Sequence, residues 1–256
     1  MNLPANAFKH AIARGQRQIG LWSGLGSATA AEILGGSGFD WIVIDTEHAP
    51  NELSGVIEQL RAMAAGTAAP VVRPAWNDRV LMKRYLDAGA QTLLIPFVQN
   101  ADEAAHAVGS MRYPPRGQRG VGLSHRANRY GRVERYFDHA ESELCLLVQL
   151  ETRAALGALE AIAQTDGVDG VFIGPSDLAA DFGHLGNNGH PEVQDAIADA
   201  LDRCRSAGKP AGILTAVAAD AQRYIEMGFT FVAVGSDVGL LRTASELLRD
   251  SFESHG

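Results

Sequence analysis

Cysteine and lysine are the scarce chemistry of this 256-residue chain. The two cysteines, Cys145 and Cys204, form no CxxC pair, which excludes a disulfide framework and a cysteine-ligated zinc cluster. Both read as small buried hydrophobes. Of 22 basic residues only three are lysines, Lys9, Lys83 and Lys209, which leaves 19 arginines. A Schiff base needs a lysine desolvated on a strand, where its pKa falls and the neutral amine can attack. Lys9 lies near the amino terminus, Lys83 sits beside Arg84 in a helical stretch and Lys209 lies in the turn AGKP, so imine chemistry has no candidate. No apolar run approaches the roughly 18 to 20 residues that span a bilayer, and MNLPANAFKHAIARG has no apolar signal-peptide core. Positive charge is in deficit, with a net charge of −8 and a pI near 5.5. That argues against nucleic acid or an anionic membrane as the main partner. A cytoplasmic protein is the expectation.

What is present is an ordinary globular composition, 46% hydrophobic and 20% charged, which is compatible with one domain over residues 1–256. Short runs rich in Val, Ile and Leu read as strands at residues 18–24, 41–48, 69–74, 92–98, 145–151, 170–177, 210–216 and 231–237. Stretches of helical periodicity separate them. Asn51 and Asn77 read as N-caps, and Gly89, Gly208 and Gly228 as C-terminal glycines. The strands are near-continuously apolar, as in a parallel sheet covered on both faces. Eight such units in this length predict an α/β fold of the (β/α)₈ TIM-barrel type. Residues 112–143 break the rhythm, forming a long loop between strands 4 and 5 that contains seven arginines. A long ordered loop is usually functional. It reads either as an anion-recognising segment or as a solvated excursion with some helix near residues 131–140.

In a parallel barrel the carboxyl ends of all strands lie on the face that carries the active site. The second strand ends in Asp45, Thr46, Glu47 and His48, the third in Arg73, the fifth in Gln149 and Glu151, and the sixth in Gly174, Pro175, Ser176 and Asp177. Glu151 and Asp177 each follow a strongly apolar run, where an unpaired carboxylate is costly. Two carboxylates without a Cys or His cluster suit a hard cation such as Mg²⁺ or Mn²⁺. Each could instead cap a helix or pair with an arginine. Asp45, three residues before His48, permits a carboxylate-oriented imidazole, although a lone histidine is often structural. Arg73 needs an anion, either a substrate or Glu47 or Asp45. The glycine-rich turns GLGSAT and VGSDVG are too short to specify a phosphate cradle.

Taken together, WIVIDTEHAPN, PVVRPAWND, TLLIPFVQNADEA, RYPPRGQRGVG, LVQLET, GVDGVFIGPSDLAADFG and FVAVGSD resemble the HpcH/HpaI aldolase family, the metal-dependent class II pyruvate aldolases of the 4-hydroxy-2-oxoheptanedioate aldolase type. The resemblance spans roughly residues 18 to 250 and implies a (β/α)₈ barrel. It implies that Glu151 and Asp177 ligate a divalent cation (Mg²⁺, Mn²⁺ or Co²⁺) with Gln149 beside it. His48, held by Asp45, would be the acid/base, and Arg73 would stabilise an enolate. Backbone amides around Gly174 and Ser176 would hold the carboxylate of a 2-oxo acid, and Trp22 and Leu214 would flank the pocket. The implied reaction is reversible aldol cleavage of a 4-hydroxy-2-oxo acid to pyruvate, or hydroxypyruvate, and an aldehyde, in the breakdown of aromatic or sugar acids. The family exchanges its last helix between subunits and forms hexamers, dimers of trimers, so a homo-oligomer is expected; from sequence that helix could equally close its own barrel. One departure is LSHRANRYG after RGVG, where His125 and Arg126 are candidates to line the aldehyde side. This leaves succinic semialdehyde, glyceraldehyde-type and glyoxylate-like acceptors open. An acyl-CoA lyase of the citrate lyase-like type and a non-catalytic binding protein are the alternative readings.

Overall fold

The computed structural model describes residues 1–252. Its centre is a closed barrel in which β1 (Gln18–Ser23), β2 (Trp41–Asp45), β3 (Ala69–Arg73), β4 (Thr92–Ile95), β5 (Cys145–Leu150), β6 (Gly170–Ile173), β7 (Ala211–Leu214) and β8 (Phe231–Ser236) pair in chain order. All pairings are parallel, and β8 returns to β1. Every expected strand is present and begins within one residue of its expected start. Several stop short of the expected end, because Thr46–His48 and Gly174–Asp177 leave the sheet as loop or helix.

The barrel interior is packed with Trp41, Val43, Val71, Leu94, Leu147, Phe172 and Phe231. Gly212 makes room for this layer: a Cβ there would lie 2.1 Å from the Phe231 ring. The amino-terminal end of the barrel is plugged by α1 (Ala7–Ala13), whose Phe8 packs 5.5 Å from Trp41 and edge-on to Phe231 at 5.7 Å. This helix was not expected. It is only 7 residues long, too short for a periodic signal to rise above the noise.

The outer layer consists of α2 (Ala28–Gly35), α3 (Leu53–Ala62), α4 (Arg79–Ala88), α5 (Ala101–Met111), α6 (Tyr136–Glu143), α7 (Arg153–Gly157), α8 (Leu159–Ala163), α9 (Pro175–Asp181), α10 (Pro191–Ser206), α11 (Ala218–Met227) and α12 (Asp237–Asp250). Gly89 and Gly228 cap α4 and α11 in the left-handed conformation as expected, and Gly208 follows the end of α10 with φ +67°. The two asparagine caps are displaced. Asp78 caps α4 by accepting the Val80 and Leu81 N–H groups, while Asn77 donates to the Glu103 carbonyl. Glu52 precedes α3, and Asn51 is buried instead, donating to the Asp45 carbonyl at 2.6 Å and accepting from Gln59.

The polarity of α5 decides where the long loop goes. The helix runs back from the carboxyl ends of the strands, so residues 112–135 leave it at the opposite, amino-terminal end of the barrel. There α6 follows and leads into β5. The last helix, α12, does not pack its apolar face on its own barrel: Leu240, Leu241, Leu247 and Leu248 are 53–66% exposed. No helix among the described residues is long and apolar enough to cross a membrane.

Candidate active site

At the carboxyl ends of the strands lies a cavity of about 610 Å³, lined by Trp22, Asp45, His48, Arg73, Gln149, Gly174, Ser176, Asp177 and Leu214 among others. Strand register delivers this set. Asp45 and Arg73 are direct neighbours at the ends of β2 and β3. The Arg73 guanidinium donates from Nε to Asp45 Oδ1 at 2.9 Å and from Nη2 to Oδ2 at 2.7 Å, a bidentate pair. Its third nitrogen, Nη1, lies 2.9 Å from Glu47 Oε2, and its plane sits 5.3 Å from the Trp22 ring centroid. Burial opposes charge on Asp45, but the hydrogen bonds and charge of Arg73 overcome it and hold the carboxyl below its ordinary range. Burial likewise opposes charge on Arg73, and the contacts of Asp45 and Glu47 more than offset it.

This geometry corrects one expectation. Asp45 does not orient the His48 ring: both of its oxygens bind Arg73, and Oδ1 also accepts the Glu47 N–H at 3.0 Å. His48 lies at the rim with its side chain 65% exposed, and its Nε2 is 3.8 Å from Glu47 Oε1. Glu47 is thus the carboxylate between arginine and histidine, and it had been assigned no role beyond a salt bridge. The signal was available. In a strand continuing through D-T-E, Asp45 and Glu47 face the same side, so a buried Asp45 brings Glu47 with it.

Glu151, just past β5, is buried. Oε1 accepts the Phe97 N–H at 2.8 Å, and Oε2 accepts from Gln149 Nε2 at 2.5 Å. Gly174 is required beside it, since a Cβ there would fall 2.4 Å from Glu151 Oε2. The Gly174 amide, however, already donates to the Leu150 carbonyl at 3.1 Å, and Pro175 has none. The amides that remain for an anion are therefore those opening α9, beginning at Ser176. Asp177, in the first turn of α9, is exposed at the cavity. Burial, assisted by Asp177, raises the carboxyls of Glu47 and Glu151 to about 7; Asp45 adds to the rise in Glu47, and Glu47 to that in Glu151.

These residues fit a hard divalent cation. Gln149 Oε1 is buried without a hydrogen-bond partner among the described residues, whereas Glu47 Oε2 meets only Arg73. The oxygen donors are open to one side rather than closed into a cage, as suits an ion completed by substrate and water. Among the described residues only His184, His190 and Glu192 bring three ligand atoms within 4.8 Å of one another. Their two imidazoles stack 3.4 Å apart at 16°, so in-plane lone pairs cannot meet at one point. The cluster is an ion-paired loop, with His184 bonded to Glu192.

Arg126 is not at this cavity. It lies at the amino-terminal end of the barrel, donating to the Ala88 and Leu60 carbonyls, and His125 is beside Asp87 on α4. The expectation that these two line the aldehyde side fails within this chain because their loop joins a helix to the next strand. None of the three lysines lines the cavity; Lys9 and Lys209 instead bind the Leu144 and Val168 carbonyls.

A TIM barrel with carboxylates and one arginine converging at its carboxyl-terminal mouth has the architecture of an enzyme. The profile of the HpcH/HpaI aldolase/citrate lyase family matches residues 18–244, and the chain belongs to that family. It is 56% identical to a pyruvate aldolase from Rhizobium etli, covering 98% of this chain and 99% of that one. It is 54% identical to a 5-keto-4-deoxy-D-glucarate aldolase from Enterobacter sp. strain 638, covering 97% of each. A solved HpcH/HpaI aldolase/citrate lyase family protein from Burkholderia cenocepacia superposes with a TM-score of 0.94 at 41% identity, covering 97% of this chain and 100% of that one. The protein is an aldolase, a carbon–carbon lyase. The heptanedioate subtype is not the name that these relatives carry.

Proposed function

We propose that the enzyme cleaves 4-hydroxy-2-oxo acids reversibly into pyruvate, or hydroxypyruvate, and an aldehyde through an enolate, with Glu151 and Asp177 holding a divalent cation beside Gln149. The observation that carries this reading is Glu151, buried and fixed by two hydrogen bonds while its carboxyl is raised to about 7. A carboxylate desolvated in this way lacks a counter-charge, and Arg73 is already shared by Asp45 and Glu47. A bound cation would supply Lewis acidity at the 2-oxo oxygen. Two of the relatives' names support the substrate class: pyruvate aldolase directly, and 5-keto-4-deoxy-D-glucarate aldolase through a keto acid.

The chain's own groups do the rest. Arg73, locked in register and permanently charged, stands where negative charge develops and need not reorganise. The α9 amides from Ser176 onward face the donor carboxylate, and Trp22 and Leu214 enclose its apolar side. His48 at the open rim takes the C4 hydroxyl proton, directly or through water, as the C3–C4 bond breaks, with Glu47 beside it. The exposed apolar face of α12 supports a homo-oligomer in which this helix is exchanged with a neighbouring copy. Light scattering would show a multimer, and a monomer would refute it.

Two assays test the proposed chemistry. The enzyme should release pyruvate from 4-hydroxy-2-oxo acids and exchange the C3 protons of pyruvate in deuterated water with Mg²⁺, Mn²⁺ or Co²⁺ present, and chelation should abolish both. Full turnover in a metal-free preparation would overturn the cation assignment. Absence of exchange with every metal would overturn the enolate.

A further inference from the structure

We propose that the amino-terminal end of the barrel carries a second site, for a compact anion bearing two or more negative charges, built from Arg61, Arg126, Arg129 and Arg132. The four arginines line one cleft of about 540 Å³ that also borders Gly89, Ala90 and Gln91, just before β4, and its lining contains no carboxylate. In a chain of net charge −8 such a cleft is not average surface.

The seven arginines of residues 112–143 divide into two groups. Arg112 pairs with Glu141 and Asp166, Arg116 with Glu141, Arg119 with Asp87 and Arg135 with Asp138. Among the described residues Arg126, Arg129 and Arg132 form no ion pair, and it is these three that meet Arg61 of α3 in the cleft. Arg126 is anchored on the Ala88 and Leu60 carbonyls at 2.9 and 3.2 Å. Burial and the charges of Arg61 and Arg129 weaken its hold on its proton. Arginine does not deprotonate in proteins, so the repulsion persists until a counter-ion enters. Asp87, which borders an adjoining hollow with Arg61 and Arg126, is already bonded to Arg119 at 2.7 Å.

The loop is also built to hold this arrangement. Arg129, Tyr130 and Gly131 are consecutive left-handed residues, with φ of 51°, 58° and 84°, a conformation that non-glycine residues keep only when their surroundings enforce it. Asn128 does so. Its buried side chain accepts the His125 and Gly131 N–H groups and donates to the Leu123 carbonyl. Guanidinium forks bind the paired oxygens of phosphates and carboxylates, and four in one cleft call for more than a single charge.

The test is calorimetric titration of the full chain, without added divalent cation, with inorganic pyrophosphate in one arm and citrate in the other, at ionic strength matched with NaCl. We expect saturable binding of at least one anion by the wild type and equally by Arg73→Lys, which breaks the guanidinium fork of the catalytic cavity and so separates the two sites. Binding should weaken at least tenfold in the exposed double variant Arg129→Ala/Arg132→Ala, whose folding is checked by circular dichroism. The stronger arm identifies the phosphoryl or the polycarboxylate class. Absence of saturable binding by the wild type, or undiminished affinity in the double variant, would overturn the proposal. So would a double variant that loses, without any anion present, an oligomer that the wild type forms, because a second copy would then occupy the cleft.

Discussion

One cleft at each end of the barrel carries a local surplus of charge, and the two are of opposite sign. At the carboxyl-terminal mouth Asp45, Glu47, Glu151 and Asp177 surround a single guanidinium, whereas at the amino-terminal end four arginines share a cleft with no acid in its lining. Both residue types are distributed along the whole sequence. What sorts them is whether a segment follows a strand or follows a helix, since the chain reverses direction at every element. Like charges left uncompensated on a rigid scaffold raise the free energy of the empty protein, and a ligand of opposite sign relieves it. The difference between the ends is thus a difference in what each is built to receive, a cation with its oxo acid at one and an anion at the other.

The largest expected effect comes from removing the acid that most needs a cation. Glu151→Gln keeps the shape and can keep the Phe97 contact, but it removes the charge. We expect kcat for retro-aldol cleavage to fall on the order of 10³-fold, the upper range for loss of one electrostatic group, with Mn²⁺ affinity falling in parallel. Near-normal kcat in this variant would break the contrast between the two ends.

Next is the single cation of the mouth. Arg73→Met leaves Asp45 and Glu47 buried without a partner, and breaking a buried pair in this way costs about 3–5 kcal/mol, which urea denaturation measures. Arg73→Lys keeps the charge but not the fork that spans both Asp45 oxygens. It should recover part of the stability while kcat stays low. If the lysine variant were as active as wild type, charge alone and not geometry would be the contribution of this residue.

A smaller effect is tied to pH. The carboxyls of Glu47 and Glu151, raised from an ordinary 4.5 to about 7, hold protons in the folded state that the unfolded chain has already released. Their contribution to stability is complete below pH 4.5 and is lost as pH rises through 7. The melting temperature of the metal-free protein should therefore fall between pH 5 and pH 8. A divalent cation must displace those protons at low pH, so its stabilising shift should be larger at pH 8 than at pH 5. An equal shift at both would place the cation elsewhere.

Much of this was legible in the sequence. Eight apolar runs located eight strands, because strands buried on both faces carry no alternation to confuse with helical periodicity. Strand-end polarity brought Asp45, Arg73, Gln149, Glu151, Gly174 and Asp177 to one region. What was not legible required three dimensions. Asp45 could not be assigned to Arg73 rather than to His48 without the β2–β3 register, since sequence distance favours His48, three residues away, over Arg73, 28 residues away. The N-caps lie one residue beyond the expected asparagines: Asn77 and Asp78 are equally able to cap, and only burial shows that Asn51 is engaged elsewhere. His125 and Arg126 are candidates for the aldehyde side on the departure LSHRANRYG alone, although counting elements from β4 through α5 already places their loop at the far end.

The smallest effect tests that last point from the opposite direction. Arg135 belongs to the same loop but to its ion-paired half: it binds Asp138 at 2.8 Å with side chains 73% and 55% exposed. Exposed pairs contribute little, so Arg135→Gln should change stability by no more than about 0.5 kcal/mol. As part of a loop opposite the mouth of its own barrel, it should also leave kcat/KM for the aldol substrate unchanged. Arginine content alone, without topology, predicts instead that any loop arginine can serve the acceptor carboxylate. A rise in KM for an acidic aldehyde in Arg135→Gln, with kcat preserved, would show that this end of the barrel reaches an active site after all. It could then do so only in a neighbouring copy, since the barrel separates it from its own.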